Sequence, residues 1–216
     1  MKRFAVIGLG HFGASVARKL YEEGREVIAI DADKERVQDA AEYSEQAICA
    51  DATDKRTLEN IGLNEVDAAI VSLGERMDVI TLAALHLKEI GVPYLIVKAI
   101  SADHEKILRA IGVNEVIHPE EFAAQSLATR LSLFGVSDFL PILPTYSVVL
   151  LKTPKCFLNQ TVSVMESKNV QVVAIQRGKE MILTPSDEDV LQTDDTVVLL
   201  GENRNLNELA ERIEKE

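Results

Sequence analysis

The sequence predicts an α/β fold, a doubly wound parallel sheet followed by a smaller α+β unit. Two observations carry this. Short aliphatic runs alternate with helical segments through the first 120 residues or so, at spacings that a parallel sheet covered by helices requires. The first run, Arg3-Phe4-Ala5-Val6-Ile7, passes through Gly8-Leu9-Gly10-His11-Phe12-Gly13 into a helical stretch. A glycine-rich turn between a strand and a helix is the phosphate-binding turn of a Rossmann-like sheet.

The elements follow in order. Strands are expected over 3–7, 26–30, 46–50, 68–72, 94–98 and 115–118. Helices are expected over 12–23, 34–42, 55–61, 77–90 and 102–111. Pro119 breaks this rhythm, and 120–134 reads as one amphipathic crossover helix with Phe122, Leu127, Leu131 and Phe134 as its apolar positions. The stretch 135–141 holds Gly135 and Pro141 and reads as a turn-rich crossover. Beyond it the pattern changes: strands over 146–152, 170–176, 180–183 and 196–200, a short helix over 162–168, and a last helix over 205–215. The expected domains are 1–135 and 140–216.

Composition narrows the function classes. The chain has 216 residues, a formal net charge of −12 and a hydrophobic fraction of 47%. The acidic balance opposes a nucleic-acid surface, which needs clustered Lys and Arg, and opposes docking on anionic lipid. No apolar run approaches the roughly 18 residues of a membrane span. Met1-Lys2-Arg3 leads directly into a core strand, unlike a signal peptide. Cys49 and Cys156 are too few and too scattered for a disulfide framework or a zinc site. A cytosolic protein with reduced thiols follows, with Cys49 expected in the core.

The glycines have separate tasks. Gly8 permits the tight turn, Gly10 lets a phosphate approach the backbone, and Gly13 brings helix and strand together. The helix start, His11-Phe12-Gly13, offers free N–H groups to an anion. The second strand ends at Asp31, 18 residues past Gly13, where a carboxylate accepts ribose hydroxyls and disfavours a 2′-phosphate. Asp33 either joins it or caps the next helix. Asp51-Ala52-Thr53-Asp54 follows the third strand, where it either stands at an adenine edge or caps the next helix. Ser72 and the loop after it form a wall on the phosphate side. His11 could reach a phosphate or lie on the surface, and Lys98 ends the fifth strand on the same rim. Glu120 could meet a phosphate-bound Mg²⁺ or serve as an acidic first turn. His86 and His104 are given no role. The second unit contains no histidine, so the acid–base residue of a dehydrogenase substrate domain is missing there.

The glycine stretch Phe4–Gly13, the acids Asp31 and Asp33, the segment 49–53 and the run Ile117-His118-Pro119-Glu120 together resemble the cytosolic regulatory subunits of Ktr/Trk potassium-uptake systems, the RCK or KTN proteins. The resemblance covers essentially the whole chain. It implies a nucleotide-binding N-terminal domain, a crossover helix and an RCK C-terminal domain. It implies homodimers assembling into an octameric ring beneath a membrane potassium-translocating subunit. ATP or ADP at the dimer cleft would change ring shape and gate the channel. It assigns Gly8, Gly10 and Gly13 to the phosphate loop, with the nucleotide-binding candidates His11 and Phe12 between them, Asp31 and Asp33 to ribose, and Asp51 with Ala52 to adenine. Lys98 falls on the rim, and Glu120 beside a divalent cation. Many members carry Arg where this chain has His11, a permanent cation where imidazole is only partly charged. Some C-terminal domains of the family bind cyclic di-AMP; Val173 and Ile175 are present here without a basic pair. The alternative is an NAD(H)-binding redox sensor or oxidoreductase, and AMP is a further candidate ligand.

Overall fold

The parallel sheet forms because its strands are aliphatic on both faces. The computed structural model describes residues 2–132, 136–167 and 169–215. Contacts divide the chain into two compact units, Met1–Pro119 and Glu120–Glu216.

The first unit runs β1 (Arg3–Ile7), α1 (His11–Glu22), β2 (Glu26–Asp31), α2 (Lys34–Ala40), β3 (Gln46–Cys49), α3 (Lys55–Ile61), β4 (Ala68–Val71), α4 (Met77–Ile90), β5 (Leu95–Lys98), α5 (Ala102–Ile111) and β6 (Glu115–Ile117). The six strands are parallel in the order β3-β2-β1-β4-β5-β6. Successive residues of a strand point to opposite faces, so each face has its own core. Val6, Val27, Ala29 and Ile70 pack with Ala17 of α1 and Ala40 of α2. Ala5, Ile7, Ile28, Ile30, Ala69, Val71, Leu95 and Val97 pack with Leu58 of α3, Ile80 and Leu87 of α4, and Leu108 of α5. Such strands read as continuous apolar runs because neither face meets water. The strand order reverses between β1 and β4, and the crevice at their carboxyl ends is where such sheets take ligands.

The second unit comprises α6 (Pro119–Ser132, whose first residue counts with the first unit), β7 (Val136–Leu143), β8 (Tyr146–Lys152), β9 (Val170–Arg177), β10 (Glu180–Leu183), β11 (Thr196–Glu202) and α7 (Asn203–Lys215). Its sheet is antiparallel in the order β10-β9-β11-β8-β7. Here burial alternates along the strands: Val149 and Leu151 of β8 and Val197 and Leu199 of β11 point inward. They meet Leu206, Leu209 and Ile213, spaced three and four apart on α7.

Two expectations change. The stretch read as a turn-rich crossover is largely β7, the edge strand paired with β8, with register irregularities at Val136–Asp138 and Pro141–Leu143. An edge strand tolerates Pro141 because its outer N–H positions need no partner. Cys49 is exposed rather than in the core; β3 is an edge strand too, and its thiol lies 3.5 Å from the Ala32 carbonyl oxygen. The apolar positions Phe122, Leu127 and Leu131 of α6 are 53%, 51% and 79% exposed; Phe134 lies outside the described residues. The contact boundary at 119/120 precedes the expected one at 135–140 and assigns nearly all of α6 to the second unit.

Candidate functional site

The site begins with three glycines that differ in what surrounds them. Gly8 has φ +94°, and a Cβ there would lie 2.2 Å from the Ser72 carbonyl oxygen. A Cβ on Gly13 would lie 1.9 Å from the Gly8 carbonyl oxygen. The fold itself excludes side chains at these two positions. Gly10 has an ordinary backbone, φ −65° and ψ −178°, and a Cβ there would meet nothing within 4 Å. No described atom excludes a side chain at position 10. It stands as the N-cap of α1 with no side chain capping that helix, and it borders open space at the positive end of the helix dipole.

That space is a cavity of about 710 Å³ lined by Gly8, Gly10, Asp31, Asp51 and Ser72 together with Ala32, Arg36, Thr53, the loop Leu73 to Arg76, and Asp78, Val79 and Leu82 of α4. Its volume falls within the range of small-ligand sites, roughly 300–1,000 Å³. Asp31 is 8% exposed. Its Oδ2 accepts the Leu9 amide at 2.6 Å and its Oδ1 accepts the Asp33 amide at 2.9 Å, with Arg36 Nη1 at 3.6 Å. Asp51 Oδ1 accepts both the hydroxyl and the amide of Thr53, at 2.7 and 2.8 Å. These bonds hold its carboxyl below the usual carboxylate range. Arg76 likewise holds Asp78 low through a hydrogen bond.

The remaining expected residues stand elsewhere. His11 lines a neighbouring cavity of about 380 Å³ with Arg18, Asp39, Glu42 and Tyr43, and the two cavities share Gly10 and Arg36. The Arg18 guanidinium lies 4.2 Å above the Tyr43 ring. Phe12 and Gly13 are the next residues of α1 and line neither cavity. Asp33 caps α2, its Oδ1 accepting the Glu35 amide at 2.9 Å. Ala52 is buried in the core behind Asp51. Lys98 ends β5 at the carboxyl edge of the sheet without lining the cavity. Glu120 is exposed in the first turn of α6 and counts with the second unit. His104 is fully buried in α5, its Nε2 3.3 Å from the Thr81 hydroxyl, and burial pushes it down from its ordinary value.

Sequence reasoning passed over Arg36 and Arg76. Both sit at helix starts, Arg36 in the first turn of α2 and Arg76 as the N-cap of α4. The helix dipole disfavours cations there, and that misplacement is the signal that points to them.

A family model described as the TrkA-N domain matches residues 4–119, and one described as the TrkA-C domain matches residues 146–214. The chain belongs to the TrkA family of potassium-uptake proteins. Among its relatives in that family is the Ktr system potassium uptake protein C of Bacillus subtilis (strain 168). It is 35% identical over 215 residues, covering 98% of this chain and 97% of the relative. The Ktr system potassium uptake protein A of the same organism is 34% identical, covering 95% and 94%. The protein A of Vibrio alginolyticus is 30% identical, covering 93% and 92%. The expected Ktr/Trk membership therefore holds. Among solved structures, the GsuK RCK domain superposes with a TM-score of 0.66 at 16% identity, and the GsuK channel bound to NAD with 0.69 at 15%. Each covers 98% of this chain, which spans 47% and 39% of those longer chains. At such identities they show the TrkA-family chain to have the RCK fold.

Proposed function

We propose that this TrkA-family chain is a cytosolic, non-enzymatic regulatory subunit that gates a membrane potassium-translocating partner in response to an adenine nucleotide. The observation that carries the reading is Gly10. It is an unobstructed glycine at the uncapped start of α1, facing a ligand-sized cavity, in a chain related along nearly its whole length to potassium-uptake proteins. No described helix is long and apolar enough to cross a membrane, and in this reading translocation belongs to the partner.

In this reading the phosphates meet Gly10 and the first-turn N–H groups of His11, Phe12 and Gly13, with Gly8 shaping the turn. The ribose meets Asp31, with Asp33 capping α2 behind it, and the adenine meets Asp51, with Ala52 supporting it from the core. Ser72 walls the phosphate side, and Lys98 supplies a cation at the rim. Gating is a population shift: the ligand must favour one shape of an octameric ring of dimers, and a ligand binding both shapes equally gates nothing. ATP and ADP differ by a γ-phosphate, whose charge supplies that difference. The exposed apolar positions of α6 support burial against a second copy.

Mg²⁺ would neutralise phosphate charge. Among the described residues no group of three or more His, Cys, Asp or Glu could hold a metal. Mg²⁺ is commonly bound through one or two carboxylates plus substrate phosphates, so a single carboxylate suits it, and we assign Glu120. The second reading is NAD(H), with AMP as a smaller candidate. The observation favouring NAD(H) is Asp31, an acid at the end of β2 as in dinucleotide-binding folds.

The test is potassium flux through the membrane partner reconstituted in vesicles with this chain, in ATP, ADP and NADH. ATP-dependent flux, lost on replacing the chain with its Gly10→Ala variant, is expected. Flux indifferent to every nucleotide would reject the gating role.

A further inference from the structure

The glycine loop is tied to the end of β2 at two adjacent amides. Gly8 N–H donates to the Ile30 carbonyl at 2.8 Å, and Leu9 N–H donates to Asp31 Oδ2 at 2.6 Å. The Leu9 residue is 4% exposed and its side chain is packed among Val6, Val27 and Tyr43. Its amide therefore has little access to water, and losing the carboxylate leaves a buried donor unsatisfied. The other carboxylate oxygen accepts the Asp33 amide at 2.9 Å, which fixes the orientation of the group. One buried carboxylate thus joins the two segments that border the cavity, the phosphate loop and the turn from β2 into α2.

We propose that Asp31 is a positioning residue for the phosphate loop: it holds the backbone from Gly8 to Gly10 in the phosphate-receiving conformation, independently of any contact with a ribose. The inference rests on the nucleotide reading for its purpose, though not for its geometry. An ionised carboxylate offers about four acceptor sites. Two amides leave room for ribose hydroxyls, so the two roles coexist. An amide in its place cannot reproduce the anchor. Asparagine has one acceptor oxygen, and its NH₂ group would face either the Leu9 or the Asp33 N–H, donor against donor.

A probe without a ribose separates anchoring from ribose contact, because the two accounts predict opposite signs. If Asp31 only binds ribose, Asp31→Asn removes a negative charge 3.6 Å from Arg36 and leaves the loop intact. Inorganic tripolyphosphate then binds as well as before, or more tightly. If Asp31 anchors the loop, tripolyphosphate binding weakens by about tenfold, the scale of one lost charge-assisted hydrogen bond.

The experiment is calorimetric titration of the full chain and its Asp31→Asn variant with tripolyphosphate and with adenosine. Hydrogen exchange at the Leu9 amide of the ligand-free proteins accompanies it. Weaker binding of both probes, with faster Leu9 exchange and an unchanged circular-dichroism spectrum, is the expected result. Unchanged or tighter tripolyphosphate binding, or Leu9 protection that survives the substitution, overturns the proposal. If the variant does not fold, Leu9 exchange in the unmodified chain decides: strong protection is expected, and exchange at the rate of an open loop overturns it. Failure of the unmodified chain to bind polyphosphate or nucleotide would count against the nucleotide reading, and Leu9 exchange would then judge the anchor alone.

Discussion

Each unit buries an aspartate, and the two are used in opposite ways. Asp31 in the first unit accepts two backbone amides and still lines a cavity. Asp195 in the second is 0% exposed and sealed. Arg177 Nε and Nη2 meet its two oxygens at 2.9 and 2.8 Å, and the Gln192 amide adds a third bond at 2.9 Å. Burial works to raise Asp195, but the Arg177 and Gln192 hydrogen bonds hold it below the usual carboxylate range. A carboxylate with every neighbour inside the protein is a staple. One that also lines a cavity keeps acceptor sites available to a ligand. The glycines repeat the lesson: Gly8 and Gly13 answer to protein atoms, and Gly10 answers to none.

Arg177→Met strands a buried carboxylate and should cost about 3–5 kcal/mol, read by denaturant unfolding, with nucleotide affinity unchanged. A loss under about 1 kcal/mol would make the pair an ordinary surface ion pair. Gly13→Ala forces α1 away from the Gly8 carbonyl. It should destabilise the first unit by about 3 kcal/mol, at the upper end of overpacking costs, lowering its melting temperature. Gly10→Ala puts a poor N-cap residue at the start of α1 and should cost about 1 kcal/mol, well below the cost of Gly13→Ala, while nucleotide affinity falls by about 100-fold through direct obstruction. Equal melting losses for the two glycine variants would erase the distinction between them.

The smallest effect concerns His104. Its ordinary value is 6.5, and burial, assisted by the charge of His118, lowers it in the folded chain. Below 6.5 the unfolded chain then binds more protons than the folded one, so stability falls as pH drops. The contribution is complete above 6.5 and lost through the window beneath it. Melting curves of the unmodified chain and His104→Gln should converge toward acid pH; a parallel pair of curves would exclude this group.

The first unit was legible because its signals are local. An aliphatic run, a glycine turn and an acid closing the next run lie within Arg3 to Asp31, and the strand order makes them neighbours. What stayed hidden depends on position in the assembled sheet. Cys49 reads as core from its apolar neighbours, yet β3 is an edge. Pro141 reads as a turn residue, yet an edge strand accommodates it. Arg36 and Arg76 reach the cavity only because α2 and α4 start beside the switch point between β1 and β4. The contact division at 119/120 differs from the expected boundary at 135–140 because α6 continues the helical rhythm of the first unit in sequence while counting with the second by contacts.

The most direct test of the nucleotide site is calorimetric titration of the full chain and its Gly10→Ala variant with ATP, ADP, AMP, NAD and NADH, with and without Mg²⁺. The account predicts ATP and ADP binding to the unmodified chain, with Mg²⁺ acting on ATP alone, and loss of both in the variant. Nucleotide binding that survives Gly10→Ala undiminished would contradict it.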